Sequence, residues 1–487
     1  MQPLTGEDLH NSVEDNLVII EPVNEVHAKV IADNGIKQEL VDYFTFEVPG
    51  AKFMPAYRNR YWDGKVRLFS IKTNRVYIGL LPYVDEFCRE RGYEFGGIED
   101  VIGEKQREKC SQSWLADLNL PFEPRDYQID AFNTAIQYGR QLLLSPTASG
   151  KSLIIYLLAR YYDKKTVIIV PTTSLVEQMT KDFIDYGYKE PVCKIYHGQE
   201  VFDADITVTT WQSFSKAPKE VLESFDMVIG DEAHLFKATT LKGILEKMKN
   251  TAVRIGTTGT LDGTEVHRLQ LEGLFGPVKK VITSSELIED GTIAKIDIDC
   301  IILKHAKCHK MSYQEEMDYL VSCEERNKFI VNLVRNLKGN TLVLFQYVEK
   351  HGVVLHGMLD GLVDNLHYVY GGTDTSDREA IRGIVEEAKN DVILASYGTF
   401  STGVNIKKID NIVFASPSKS KIRNLQSIGR GLRKTEGKDS MRLFDIADDL
   451  QCDNYTLEHL KERINIYSEE NFPYELKQFD LWQQQKT

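Results

Sequence analysis

The chain has 487 residues, 42% of them hydrophobic, with a net charge of -13 and a pI near 5.5. That length suits about three domains, and the apolar share is enough to build packed cores, which excludes an intrinsically disordered chain. The acidic balance excludes a histone-like protein coated in positive charge, so a nucleic acid would have to be held by a local basic groove or by backbone N–H groups.

In chain order, the N-terminus carries Glu7, Asp8, Glu14 and Asp15 and no basic-then-apolar run, so no secretory signal is expected. Residues 1–115 read as a small α+β domain. Through Pro49–Phe69 charge alternates with aromatics. Lys52, Arg58, Arg60, Lys65, Arg67, Lys72 and Arg75 interleave with Phe53, Tyr57, Tyr61, Trp62 and Phe69. One reading is a nucleic-acid surface, with cations for phosphates and rings for bases. The other is a β-hairpin turned at Asp63-Gly64 around an aromatic core. The two are compatible, since a hairpin could present the basic residues.

Residues 116–290 read as a doubly wound α/β domain. Gln141–Ser145, Thr166–Pro171, Ile206–Thr210, Phe225–Gly230 and Val253–Gly256 are short, β-branched-rich runs, apolar on both faces, as buried parallel strands are. Amphipathic helices are predicted between them, at Ser152–Tyr162 and Thr173–Tyr186. The pattern restarts over 291–455, with strands at Thr341–Gln346, Leu366–Tyr370, Asp391–Ser396, Asn411–Ser416 and Met441–Ile446 and a helix at Asp377–Lys389. This second α/β domain has no phosphate loop of its own. Residues 456–487 read as a polar, helical tail with a Gln-rich end.

The chemistry concentrates at strand ends. Pro146-Thr147-Ala148-Ser149-Gly150-Lys151-Ser152 follows a strand and opens a helix, the context of a phosphate loop. Glycine lets backbone N–H groups approach phosphates, Lys151 reaches the β- and γ-phosphates, and the Ser152 hydroxyl completes a magnesium shell. Ser145 stands where the strict pattern has its first glycine. Asp231-Glu232-Ala233-His234 ends the fourth strand. Asp231 can hold the magnesium and Glu232 can orient or deprotonate the attacking water. Arg430 and Arg433, one helical turn apart beyond Gln426, present a guanidinium for the charge that develops on the transferred phosphoryl group. Gln128, in Pro124-Arg125-Asp126-Tyr127-Gln128, carries an amide that can read an adenine edge as donor and acceptor. The 7 cysteines are scattered without a CxxC pair. Neither a zinc ribbon nor a disulfide framework is expected, and Cys300, Cys308 and His309 read as ordinary thiols and imidazole rather than metal ligands. With no apolar stretch of the roughly 20 residues a bilayer requires, the expectation is a soluble, cytoplasmic protein.

These motifs resemble, in order from 120 to 435, those of superfamily-two helicases. Pro171–Gln178 and Thr209-Thr210-Trp211-Gln212 resemble the family's first nucleic-acid-contacting motifs. Thr257-Thr258-Gly259-Thr260 resembles the motif that couples hydrolysis to strand movement. Phe345 and Gln346 end the strand of the fourth motif. Ser401-Thr402-Gly403-Val404-Asn405 resembles the motif that touches both nucleotide and strand. Tyr61-Trp62-Asp63-Gly64-Lys65-Val66-Arg67-Leu68, Ala159-Arg160-Tyr161-Tyr162 and Ser396–Gly403 are similar to the UvsW-type recombination helicases of T-even-like phages, over nearly the whole chain. The resemblance implies two RecA-like domains using ATP and Mg2+ to unwind and remodel branched DNA (forks, Holliday junctions, R- or D-loops), moving 3′ to 5′, in recombination-linked replication and repair. It implies nucleotide contacts from Arg125, Gln128, Thr147, Ser149, Gly150, Lys151, Ser152 and Gly403. It implies catalytic roles for Lys151, Asp231, Glu232, Gln426, Arg430 and Arg433, and metal contacts from Ser152 and Asp231. Thr172, Thr210, Trp211, Gln212 and Thr402, with Arg58, Arg60, Trp62, Lys65 and Arg67, are the nucleic-acid set. The expected partner is DNA, single-stranded and branched, with room for single-strand-binding or recombination proteins; a monomer in the host cytoplasm is the expected state. Two other readings stand beside it: an RNA-directed helicase with the same engine, and a nucleic-acid-binding regulator with little ATPase activity. The regulator should have lost Lys151, Asp231, Glu232 or Arg433, and all four are present.

Overall fold

In the computed structural model, residues 16–98, 101, 109–196, 204–237, 239–402, 406, 408–416, 420, 427–429, 431–432, 434 and 438–481 are described, a few helical ones by backbone alone. The chain divides into two compact units, Met1–Ser145 with Gly150–Val281, and Pro146–Ser149 with Ile282–Thr487.

The first unit opens with strands β1 (Leu17–Pro22), β2 (His27–Ile31), β3 (Thr45–Glu47), β4 (Lys65–Arg67), β5 (Phe69–Ser70), β6 (Arg75–Tyr77) and β7 (Glu94–Gly96). Five of these form a sheet in the order β5-β6-β2-β1-β7, and β3 pairs with β4 as a separate ribbon. Val18, Ile20, Ala28 and Val30 of the antiparallel pair β1–β2 point to one side and are buried, the alternation expected of strands covered on one face. The helices Asn34–Tyr43 and Leu81–Arg91 cover that side with Ile36, Leu40, Val84 and Phe87.

Next comes a seven-stranded sheet of β8 (Arg140–Leu144), β9 (Thr166–Val170), β10 (Val192–Ile195), β11 (Ile206–Thr210), β12 (Met227–Asp231), β13 (Val253–Thr258) and β14 (Val278–Lys280). Its order is β10-β11-β9-β12-β13-β8-β14, every pairing parallel. Strands β9, β11, β12 and β13 are buried along their whole length, which explains the unbroken β-branched runs of β9 and β11.

The N-terminal sheet and this sheet share one apolar core, which runs from Val18 and Phe87 through Tyr77 and Leu80 to Leu142, Ile169, Phe236 and Phe275. Polar contacts lock the joint. Tyr77 Oη donates to Glu246 Oε1 (2.5 Å) and Tyr83 Oη to Glu272 Oε2 (2.5 Å). Arg140 pairs with Glu25 (2.7 Å). Burial first, then the facing carboxylates, push both phenols above their ordinary range, so they stay donors. At Gly79 a Cβ would stand 1.9 Å from the Glu272 carbonyl oxygen, so any side chain would force the two layers apart.

The second unit carries β15 (Lys295–Lys304), β16 (Thr341–Phe345), β17 (Leu366–Val369), β18 (Val392–Ser396), β19 (Asn411–Phe414), β20 (Ser440–Asp449) and β21 (Tyr474–Asp480). The order β17-β18-β16-β19-β20-β15-β21 is again all parallel. Counted from its own first strand, each sheet reads third, fourth, second, fifth, sixth, first, seventh, so one topology occurs twice. The two α/β domains read from sequence are present.

Three expectations need correction. The 456–487 tail is not wholly helical: after the helix Tyr455–Glu469, β21 joins β15 as the seventh strand, the place β14 takes in the first sheet. Its mixed polar and apolar residues, mostly exposed, suit an edge strand. The second domain's packing also begins earlier than 291, at Ile282. Finally, Asp63-Gly64 does not turn a tight hairpin. β3 and β4 pair as Thr45↔Arg67 to Glu47↔Lys65, and residues 48–64 between them make an excursion containing the helix Pro55–Arg58. Pro55 starts a helix where a hairpin would need a strand.

Candidate nucleotide and DNA site

The phosphate loop follows β8 directly. Ser145, in the place of the usual first glycine, extends the ladder by donating its N–H to the Thr258 carbonyl (2.8 Å). Ala148 (φ 68) and Gly150 (φ 78) are both left-handed. Alternation of this kind curls successive N–H groups into an anion-binding concavity. A Cβ on Gly150 would stand 2.3 Å from Gln128 Nε2, so this glycine is required by space as well as by φ. Ser149 Oγ donates to the Pro146 carbonyl (2.7 Å) and braces the loop. Lys151 opens the helix Lys151–Tyr162, and its Nζ donates to the Ser145 carbonyl (3.2 Å). Ser152 Oγ is 2.8 Å from Tyr186 Oη, a partner that no motif had marked.

Asp231 ends β12 and is buried. It accepts from Thr257 Oγ1 (2.8 Å) on neighbouring β13. Burial, then the Glu232 charge, raises its carboxyl above the ordinary range, against the opposing pull of Lys151. Its ionised form is therefore disfavoured until a cation comes to it, and with the Ser152 hydroxyl this donor set fits a hard divalent ion. Glu232 lies in the left-handed region (φ 50), a strained place for glutamate. Its Oε2 is 3.3 Å from His234 Nδ1, which is also 2.9 Å from Thr258 Oγ1. Both threonines at the end of β13 are thus bonded to the acidic motif, contacts that its resemblance to the coupling motif did not specify.

Gln128 lies in the helix Asp126–Tyr138, buried against Gly150, with Oε1 accepting from the Arg125 N–H (2.9 Å). Its acceptor therefore caps its own helix. Arg125 is exposed, bonded to Tyr127 Oη (2.8 Å). Thr172 lies two residues beyond β9 as the N-cap of Thr173–Asp185, accepting from the Leu175 N–H. Thr210 ends β11 and donates to Ser213 Oγ (3.2 Å), followed by half-buried Trp211 and exposed Gln212.

The sheet order sorts these residues. Strands β12, β13 and β8 are neighbours and carry the phosphate loop, the acids and the threonine pair, whereas neighbouring β11 and β9 carry Thr210 and Thr172. All sit at carboxyl ends, where such sheets bind ligands.

Residues 23–96 match the family described as DNA helicase UvsW, N-terminal. Residues 121–263 match the type III restriction enzyme res subunit, and 325–435 the helicase conserved C-terminal domain. The ATP-dependent DNA helicase UvsW of Enterobacteria phage T4 is 34% identical over 93% of this chain and 98% of its own length. The chain belongs to the UvsW helicase family. The T4 UvsW crystal structure agrees, with 31% identity and a TM-score of 0.51 over 96% of this chain and 100% of that one. A DNA 3'-5' translocase, XPB2 of Sulfurisphaera tokodaii, is 23% identical over 65% of this chain and 82% of its length.

In the second unit of this UvsW-family chain, Thr402 lies at the end of the helix Tyr397–Thr402. Gly403, Gln426, Arg430 and Arg433 lie outside the described residues. Cys300 is buried in β15, and no cluster of three His, Cys, Asp or Glu able to hold a metal occurs among the described residues. No helix among them is long and apolar enough to cross a membrane.

The N-terminal basic set divides. Arg67 is paired with Asp63 (2.6 Å) and Trp62 Nε1 donates to the Lys65 carbonyl (2.8 Å), so both serve the local fold. Arg58 and Arg60 are exposed and Lys65 is half-exposed. Of the interleaved rings, Phe69 belongs to the core, while Phe53, Tyr57 and Tyr61 are exposed.

Proposed function

We propose that this chain, by family an ATP-dependent DNA helicase, unwinds and remodels branched DNA, moving 3′ to 5′ along one strand. The observation that supports it is the division of one carboxyl edge between nucleotide chemistry on β8, β12 and β13 and strand contacts on β9 and β11. Lys151 and the loop N–H groups hold the β- and γ-phosphates. Mg2+, held by Ser152 and Asp231, would neutralise the charge between them. Glu232 orients the attacking water and accepts its proton. Arg430 and Arg433 supply guanidinium charge to the transferred phosphoryl group and Gln426 shares the catalytic role, while Gln128 and Arg125 contact the base and Gly403 contributes to nucleotide binding. The bonds Asp231–Thr257 and His234–Thr258 tie the hydrolytic acids to the adjacent strand end, a short path from phosphate chemistry to a shift in the DNA grip. Thr172, Thr210, Trp211, Gln212 and Thr402 hold the strand through hydroxyls, amides and helix N-termini, which reconciles DNA binding with the acidic pI and carries little sequence preference.

The test is steady-state ATP hydrolysis without nucleic acid and with single-stranded DNA, a fork, a four-way junction and matched RNA, with Lys151→Ala as control. Stimulation by DNA, greatest with branched DNA and lost in the control, is the expected result. Stimulation by RNA alone would overturn the substrate. Equal stimulation by all DNA forms would remove the branch preference.

A further inference from the structure

The hydroxyl that the phosphate loop offers to a metal is held from behind. Ser152 lies in the first turn of the helix Lys151–Tyr162, and its Oγ is 2.8 Å from Tyr186 Oη, 34 positions along the chain. A serine side chain turns among staggered wells, and its oxygen meets a given ligand from only one of them. The bond to Tyr186 selects one well. The phenol is itself fixed. Tyr186 follows the last turn of the helix Thr173–Asp185, with its N–H on the Asp182 carbonyl (2.9 Å). Its ring meets Tyr156 edge-on (5.4 Å between centroids, 67°) and Phe122 likewise (5.6 Å, 87°). Tyr156 is buried and stands one turn beyond Ser152, so the two share a face of their helix. That helix therefore grips Tyr186 at two points, ring on ring and hydroxyl on hydroxyl.

A hydroxyl oxygen carries one proton and two lone pairs. Whichever partner donates in this bond, Ser152 keeps at least one lone pair for a cation. The contact thus orients the hydroxyl without using up its capacity to bind. Residues behind a metal ligand commonly act in this way, fixing its direction and raising the affinity of the site. We propose that Tyr186 is a positioning residue for the metal: it holds the Ser152 hydroxyl in the rotamer that meets Mg2+, and so sets the affinity of the site for the metal rather than for the nucleotide. The proposal rests on the assignment of Ser152 to Mg2+ made above.

The test is ADP binding by calorimetry on the full-length protein, with Mg2+ and with EDTA, so that the gain in affinity from Mg2+ is read without turnover. Tyr186→Phe keeps the ring on Tyr156 and Phe122 and removes only the hydroxyl. The Mg2+ gain should fall about tenfold, the lower end of the usual effect of a residue behind a metal ligand. Metal-free ADP affinity and the melting temperature should not change. In hydrolysis stimulated by single-stranded DNA, the Mg2+ concentration for half-maximal rate should rise by a similar factor, while kcat at saturating Mg2+ stays near wild type. Ser152→Ala should lose the gain at least as far, and Ser152→Ala combined with Tyr186→Phe no further, because the phenol then has nothing to orient. An unchanged Mg2+ gain in Tyr186→Phe would overturn the proposal. So would an equal loss with and without metal, which would make Tyr186 a brace of the loop, and so would additive losses in the double variant. A full Mg2+ gain in Ser152→Ala would instead overturn the assignment of Ser152 to the metal, a failure read before Tyr186 is touched.

Discussion

The two seven-stranded sheets share one strand order, yet their carboxyl edges treat a buried aspartate in opposite ways. In the first, Asp231 has a hydroxyl and a neighbouring acid, and burial pushes its carboxyl up. In the second, Asp448 of β20 would be pushed up by burial too, but Arg326 (2.8 Å) and His305 (2.9 Å) overcome this and hold it below the ordinary range. Arg326 also donates to the Ala415 carbonyl beyond β19 (2.9 Å). The second edge is charge-balanced from within, whereas the first presents an acid pair suited to a cation from outside. One architecture thus carries, among the described residues, an acid pair without a bound arginine at one edge and an aspartate neutralised by an arginine and a histidine at the other, and the difference lies in who supplies the counter-charge.

That contrast can be broken by substitution. Lys151→Ala should reduce DNA-stimulated hydrolysis by at least about 10³-fold, because phosphoryl transfer relies on positioning and charge; the melting temperature should stay near wild type, and retained turnover would remove the phosphate loop from the mechanism. Arg326→Ala leaves Asp448 buried without its main cation and should cost about 3–5 kcal/mol in denaturant unfolding. A loss below 1 kcal/mol would mean that the second edge is not held by this pair.

The His351 imidazole sharpens the same point. Burial first, then the Arg326 charge, lowers it to about 3, and it lies between Ser416 (2.9 Å) and Asn327 (3.2 Å). The unfolded chain takes up this proton below about pH 6.5 while the folded chain refuses it. Stability should therefore fall by about 1.4 kcal/mol per pH unit from there toward pH 3. His351→Gln should flatten that part of the profile, and an unchanged slope would assign the acid sensitivity elsewhere. The smallest effect on stability is expected at the first edge. Asp231→Asn should abolish hydrolysis yet leave unfolding unchanged or raise its free energy by up to about 1 kcal/mol, since it removes a disfavoured charge and keeps an acceptor for Thr257. Marked destabilisation would make Asp231 a structural acid like Asp448.

What was legible in the sequence follows from what is local. Runs such as Thr166–Val170 and Ile206–Thr210 announce buried parallel strands by composition alone, and a lysine that opens a helix straight after a strand announces phosphate binding. β15 was less visible, because Lys295, Asp297 and Asp299 alternate with Ile296, Ile298 and Cys300 and break the apolar run. β21 was mistaken for helix because its polar residues belong to a sheet edge. The Ser152–Tyr186 bond, the Arg326–Asp448 pair and the joint at Gly79 join residues far apart in the chain, and no periodicity reports them. Nor could interleaving separate Phe69, a core residue, from Tyr61, which stands in water.

Gly79 has one more consequence. A fragment cut near residue 115, where composition changes, would split a single folding unit: the motor half would keep Leu142, Phe236 and Phe275 with their covering layer stripped away, and the other half would keep Tyr77 and Leu80 with nothing to rest on. For anyone dividing this protein for expression, the serviceable boundary is the one near residue 281.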